Sequence, residues 1–145
     1  MSFDLEISRL IDATPEEVFD AFTEQGGQEA FYREDEPGWI VESECDFRVG
    51  GVWSVGFGPS RDELYRHRHV IEAIERPRRL LLTTTETRLD GSSFVTRIEF
   101  TFEDQDGKTL MTMAHTGFPT VELRDEHERG VPRALARIER FIAPR

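Results

Sequence analysis

Leu5, Ile7, Arg9 and Ile11 alternate with Glu6, Ser8 and Leu10, the two-residue period of a strand with one mostly apolar face. The period then changes. Thr14-Pro15-Glu16-Glu17 joins a threonine cap, a proline at the first helical position and a glutamate three residues after the cap, so a helix starts here. Val18, Phe19 and Phe22 continue at helical spacing, and Gly26-Gly27 reads as the end of that helix, with a second short helix from Gln28 to Tyr32. Arg33 to Pro37 reads as a charged loop and Trp39-Ile40-Val41 as a short strand.

In Asp46-Phe47-Arg48-Val49-Gly50-Gly51-Val52-Trp53 the glycine pair has no Cβ to obstruct a sharp change of direction, and it reads as the entrance to a strand. Trp53, Val55 and Phe57 then share one face, and Gly58 to Asp62 reads as a turn or mobile loop. From Leu64 to Phe102 the signals are of strands. Tyr65, His67, His69, Ile71 and Ala73 share a face, Arg76 to Arg79 turns, and Leu80 to Thr87 is rich in Leu and Thr. Asp90-Gly91 and Asp106-Gly107 are hairpin turns. Between them Phe94, Thr96, Ile98, Phe100 and Phe102 face away from Val95, Arg97, Glu99 and Thr101; beyond them Met111, Met113 and His115 share one side. His127, Val131, Leu135, Ile138 and Ile142 form the apolar stripe of a helix about twenty residues long, which covers the rings. Gly130 and Pro132 predict a bend or a broken first turn within it. Strands followed by a terminal helix make an α+β domain with the helix on one face of an antiparallel sheet.

Composition narrows the function. The 145 residues suit a single domain over 1–145, and 11 Phe beside only 2 Tyr demand a core or a lined cavity to hold so many all-apolar rings. The net charge of −11 repels nucleic acid and anionic membrane surfaces, so neither is an expected partner. The first residues carry no leader pattern and no run is long enough to span a membrane, which by default implies a cytoplasmic location. Cys45 is alone, so no internal disulfide or cysteine metal cluster is expected.

The stretch from Asp46 to Trp53 resembles the "D-x-R-V-G-G-x-W" signature of the START-like (SRPBCC) superfamily, in the branch of homologues of the activator of Hsp90 ATPase (AHSA-like). Three further stretches match in the family's order. Ala13, Pro15, Glu16, Val18, Ala21 and Thr23 fit "A-x-P-E-x-V-W-x-A-L-T", with Phe19 for the first Trp and Phe31-Tyr32 for a following "W-W" pair. Thr109, Met111, Met113, His115, Gly117 and Phe118 fit "T-x-L-x-L-x-H-x-G-F". His127, Gly130, Leu135 and Ile138 fit "H-x-x-G-W-x-x-x-L-x-x-L", with Val131 where the family usually has Trp, an exchange that enlarges the cavity or alters its entrance. The resemblance implies the helix-grip (START-like) fold: a curved antiparallel sheet wrapped around the C-terminal helix, with an internal cavity.

That cavity is expected to bind a small lipophilic or aromatic molecule, with Phe22, Phe31, Trp39, Trp53, Phe57, Phe94, His115 and Phe118 as its wall. Each of these rings also has a plain reading as core packing. No cofactor is expected. His67 and His69 face the same way and could begin a metal site with His115 or His127, but no Cys or acidic residue has a supporting spacing and Arg66 and Arg68 stand beside them, so no metal is expected. An enzymatic alternative resembles polyketide cyclases and aromatases, with His115, His69, Tyr65 and Arg48 as candidate groups, although their spacing specifies no reaction and no catalytic residue is assigned. The second alternative is a chaperone-binding or other protein-interaction module; the eukaryotic activator's separate N-terminal domain does not fit in 145 residues beside this one. An exposed sheet edge leaves homodimerisation open.

Overall fold

The computed structural model of the protein describes residues 2–143. Strand β1 (Phe3–Ile11) leads through helices α1 (Pro15–Ala21) and α2 (Gln25–Tyr32) into strands β2 (Ile40–Cys45), β3 (Val52–Ser60), β4 (Glu63–Glu75), β5 (Arg79–Thr87), β6 (Ser93–Gln105) and β7 (Lys108–Phe118), and ends in helix α3 (Val121–Ile142). The strands form one seven-stranded sheet in the order β1-β7-β6-β5-β4-β3-β2, every neighbouring pair antiparallel. After β2 the chain adds each strand beside the last, and β1 closes the far edge against β7. The sheet grips α3, the α+β helix-grip arrangement that the motifs imply.

Local chemistry accounts for the entry into the helices. Thr14 Oγ1 accepts from the Glu17 backbone N–H at 3.2 Å, while the Glu17 carboxylate accepts from the Thr14 N–H at 3.1 Å, the reciprocal cap read from the sequence. The glycine pair does something different from what its position suggests. Helix α1 ends at Ala21, and Gly26 and Gly27 lie inside α2, whose start is three residues earlier than expected. A Cβ on Gly27 would sit 2.0 Å from the Ala21 carbonyl oxygen, so the glycine is there for backbone contact between the helices.

Four further expectations change. Trp39 lies just before β2, and β3 runs through Gly58 and Pro59 to Ser60, leaving only Arg61 and Asp62 for the turn. A register shift between Ile71 and Ala73 reverses the faces of β4: Ala73 pairs with Leu81, while Ile74 pairs with buried Leu80 and packs on the core. The extra residue of this bulge ends the simple alternation that had placed Ala73 beside Ile71. Helix α3 runs unbroken through Gly130 and Pro132.

The core lies between the sheet and the helices. Phe19, Phe22, Phe100 and Phe102 meet there, with Phe22 and Phe100 centroids 5.0 Å apart and Phe19 and Phe102 5.2 Å apart. Arg137 of α3 donates to the carbonyls of Ala30 and Phe31 at 3.0 and 2.7 Å, which ties the end of α2 to the gripped helix and caps its last turn. Among the described residues no helix is long and apolar enough to cross a membrane.

Candidate functional site

Strand β5 carries Leu80, Leu82, Thr84 and Glu86 on its inner face, so the two-residue period that buries the leucines also carries a carboxylate inward. Glu86 is 3 % exposed. Burial of that degree requires compensation, and the chain's four histidines gather around it. His127 of α3 places Nε2 2.8 Å from Oε1, His67 of β4 places Nε2 3.0 Å from the same oxygen, and His115 of β7 has Nε2 3.6 Å from Oε2. His69 lies behind them, in ring contact with His67.

Hydrogen bonds fix where protons reside. His127 Nδ1 must donate to the Leu123 carbonyl, 2.8 Å away, because a carbonyl only accepts. The bond from Nε2 to Glu86 therefore needs a second proton, held on the imidazole or on the carboxyl. Burial alone would lower His127, yet the hydrogen bond and charge of Glu86 raise it above the ordinary histidine value. Burial alone would raise Glu86, yet the charge of His67 and the contacts of His127 and His67 hold it well below the usual carboxylate range. The pair is thus an imidazolium and a carboxylate.

Near this pair His115, His69 and Tyr32 are neutral. Burial drives His115 down to about 3, with the attraction of Glu86 opposing and His127 and His67 adding to the fall. His69 is held well below its ordinary value by burial and by the charge of His67. Tyr32 bridges His67 Nδ1 at 3.0 Å and His69 Nε2 at 2.7 Å, while His69 Nδ1 meets Thr84 Oγ1 at 2.7 Å. Burial and then the charge of Glu86 push the Tyr32 phenol well up, so it stays protonated. With one proton its hydroxyl donates to one imidazole and accepts from the other, which couples the directions of the whole chain.

These groups open on a cavity of about 240 Å³ between the sheet and α3. Phe31, Tyr32, Trp39, Phe57, Tyr65, Ile98, Met113 and Val131 line it together with His67, Glu86, His115 and His127. Two ion-paired groups also line it, Arg88 with Glu126, and Arg133 and Arg137 with Glu34. Two polar atoms of wall residues, Glu86 Oε2 and His115 Nδ1, are buried without a hydrogen-bond partner. His115 directs its other nitrogen to Thr96 Oγ1 at 2.8 Å.

Of the residues expected at the wall, the structure brings Phe31, Trp39, Phe57 and His115 together there. The other four lie off the cavity. Phe22 is buried among Phe31, Phe100 and Phe102. Trp53 is 2 % exposed and donates its indole N–H to Ser43 Oγ at 2.9 Å, which continues through Gln28 to the Phe22 carbonyl. Phe94 and Phe118 pack against His127 behind the wall. Val131, noted from sequence as an exchange for Trp, does line the cavity and so leaves room there.

The residues missed were Glu86 and Tyr32. No acidic residue has a supporting spacing along the chain; Glu86 reaches the histidines through the sheet register, which sets β5 beside β4 and brings His67 to it. Arg66 and Arg68 point the opposite way from the cluster and are exposed. Among the described residues no group of three or more His, Cys, Asp or Glu could hold a metal ion. The ring nitrogens nearest Glu86 are spent on hydrogen bonds and ion pairs instead.

Residues 12–143 match the family described as Activator of Hsp90 ATPase homolog 1-like protein. The chain belongs to this family. Its fold, of the SRPBCC type, typically has a ligand cavity. Nothing among the curated proteins matches the chain. Solved structures do. A Chromobacterium violaceum protein is 18% identical with a TM-score of 0.80 over 96% of each chain. A Rhizobium leguminosarum protein is 16% identical, TM-score 0.81, covering 100% of this chain and 97% of its own. An Arthrobacter aurescens protein solved by NMR is 21% identical, TM-score 0.78, covering 98% and 87%. At such identities the likeness is one of fold alone, so within this Hsp90-activator-like family the function must be argued from the site.

Proposed function

We propose that the protein binds a small hydrophobic or aromatic molecule in the cavity between the sheet and α3. One observation carries the reading: a cavity of about 240 Å³ whose wall is largely aromatic and aliphatic is also lined by a glutamate, one of whose carboxylate oxygens is buried with no partner. Ligand sites combine an apolar wall with a few placed polar groups in this way. Phe31, Trp39, Phe57 and His115 would touch the ligand, with Phe22, Trp53, Phe94 and Phe118 holding the wall from behind. A cytoplasmic location and a small molecule as the partner belong to the same reading. Native mass spectrometry of freshly purified protein, followed by solvent extraction, tests it. A copurified lipophilic compound near one per chain supports binding; failure of any small aromatic molecule to bind saturably defeats it.

A second reading, a proton-transferring enzyme of the cyclase or aromatase kind, is favoured by the coupled chain from Thr84 through His69, Tyr32 and His67 to Glu86. Such a chain can relay a proton to a bound substrate. Turnover of a cyclisable substrate, abolished by Tyr32→Phe while binding persists, separates this reading from simple binding.

A further inference from the structure

The Glu86 carboxylate is used on one side only. His127 and His67 both approach Oε1, whereas Oε2 is buried with no hydrogen-bond partner. Next to it stands His115, whose Nε2 is 3.6 Å from Oε2 but bonds Thr96, and whose Nδ1 is also buried and unpartnered. A buried polar atom without a partner is costly, and a native fold that keeps one commonly reserves it for a bound group. Here that atom belongs to a residue lining the cavity.

We propose that the cavity selects a small apolar or aromatic molecule carrying a neutral hydroxyl, a phenol or an alcohol, which donates to Glu86 Oε2 and offers its lone pairs to the His115 imidazole. This rests on the ligand-binding reading above.

Other head groups fit less well. A carboxylate would set a second anion beside Glu86, and the arginines of the lining are committed: Arg137 to the carbonyls of Ala30 and Phe31, Arg88 to Glu126, and Arg133 to the Arg129 carbonyl. An ammonium group would be stripped of water beside a carboxylate that is already paired with the His127 imidazolium. A ketone or an ether brings no proton and leaves Oε2 as it is. Only a neutral donor satisfies the oxygen without adding charge. Size narrows the class further. An apolar cavity of ~150 Å³ holds benzene, so about 240 Å³ suits a fused bicyclic ring.

The test compares 2-naphthol with naphthalene by calorimetry on the full chain at pH 7. A hydrogen bond to a charged acceptor predicts that 2-naphthol binds about ten- to a hundredfold more tightly. In Glu86→Gln the amide oxygen is taken by His127 and its NH₂ cannot accept, so the preference of 2-naphthol over naphthalene should vanish. Should that variant fail to fold, the ring ¹⁵N resonances of His115 in the wild-type protein decide, moving with 2-naphthol and staying in place with naphthalene. Equal affinities for the two probes, or a preference that survives in Glu86→Gln, overturn selection by the hydroxyl and leave the cavity reading standing. Saturable binding of neither probe overturns both.

Discussion

His127 Nε2 stands 2.8 Å from Glu86 Oε1, a bond between residues 41 positions apart that fastens the C-terminal helix to the middle of the sheet. The two side chains are 15 % and 4 % exposed, so each depends on the other for its charge. Removing one partner of a buried pair leaves an uncompensated charge, which costs roughly 3–5 kcal/mol. His127→Leu is expected to lose about that much in urea unfolding. Adding Glu86→Leu to it should recover part of the loss, and a double variant whose losses simply add would show the pair to be uncoupled.

His115 makes the fold sensitive to acid. Its folded value is about 3 against an ordinary 6.5, so below pH 6.5 the unfolded chain takes up a proton that the native one refuses. This group's stabilisation is complete above pH 6.5 and declines as pH falls, by about 2 kcal/mol at pH 5. Glu86, held low, loses its own contribution only as pH drops through its depressed folded value, and His127, held high, contributes in full below 6.5 and loses it as pH rises through its folded value. Unfolding free energies at pH 7 and pH 5 should therefore differ less in His115→Asn than in the wild type. An identical difference in both proteins rules out His115 as the sensitive group.

The two adjacent glycines of α2 should respond unequally to alanine. At Gly27 a Cβ would meet the Ala21 carbonyl oxygen at 2.0 Å, backbone that cannot step aside. At Gly26 it would meet the edge of the Phe141 ring at 3.0 Å, the far end of a side chain that can give way. Gly27→Ala is expected to cost more than ~2 kcal/mol, while Gly26→Ala stays within about 1 kcal/mol because alanine's helix preference offsets the adjustment. Thermal melts of the two variants, if indistinguishable, would argue against the close approach of α1 and α2.

Trp53 and Phe57 lie on the same strand and should fail in different ways. Trp53→Ala empties a buried site and strands Ser43, so it should destabilise the fold by roughly 3–5 kcal/mol. Phe57 is half-buried on the cavity wall. Phe57→Ala is expected to weaken 2-naphthol by about tenfold while leaving most of the stability in place. Calorimetry beside urea unfolding checks both, and ligand loss that tracks stability loss in each variant would remove Phe57 from the site.

Parts of the cavity wall were readable in advance, and the reason differs by residue. Phe31, Phe57 and His115 were found because aromatic or imidazole side chains on an inward face have few other destinations. Trp53 was assigned to the wall on family resemblance, yet its indole N–H turns to Ser43 and binds the helices to β2. Glu86 was visible to the same alternation that buried Leu80 and Leu82, but a glutamate is not expected inside unless partners are known. Its partners come from β4 and α3.

By itself the sequence determined whatever neighbouring residues decide through backbone geometry: the Thr14 cap, the Asp106-Gly107 hairpin, the alternation of β6 and the apolar stripe of α3. Each of these depends on contacts within a few positions. Only the tertiary structure decided the reversal of faces at the Ile71–Ala73 bulge, the close approach at Gly27, and the meeting of Tyr32, His67, His115, His127 and Glu86 at one cavity. Those follow from sheet register and from which elements pack together. A buried carboxylate survives only when distant groups supply its protons and charges, and no spacing along the chain encodes that supply.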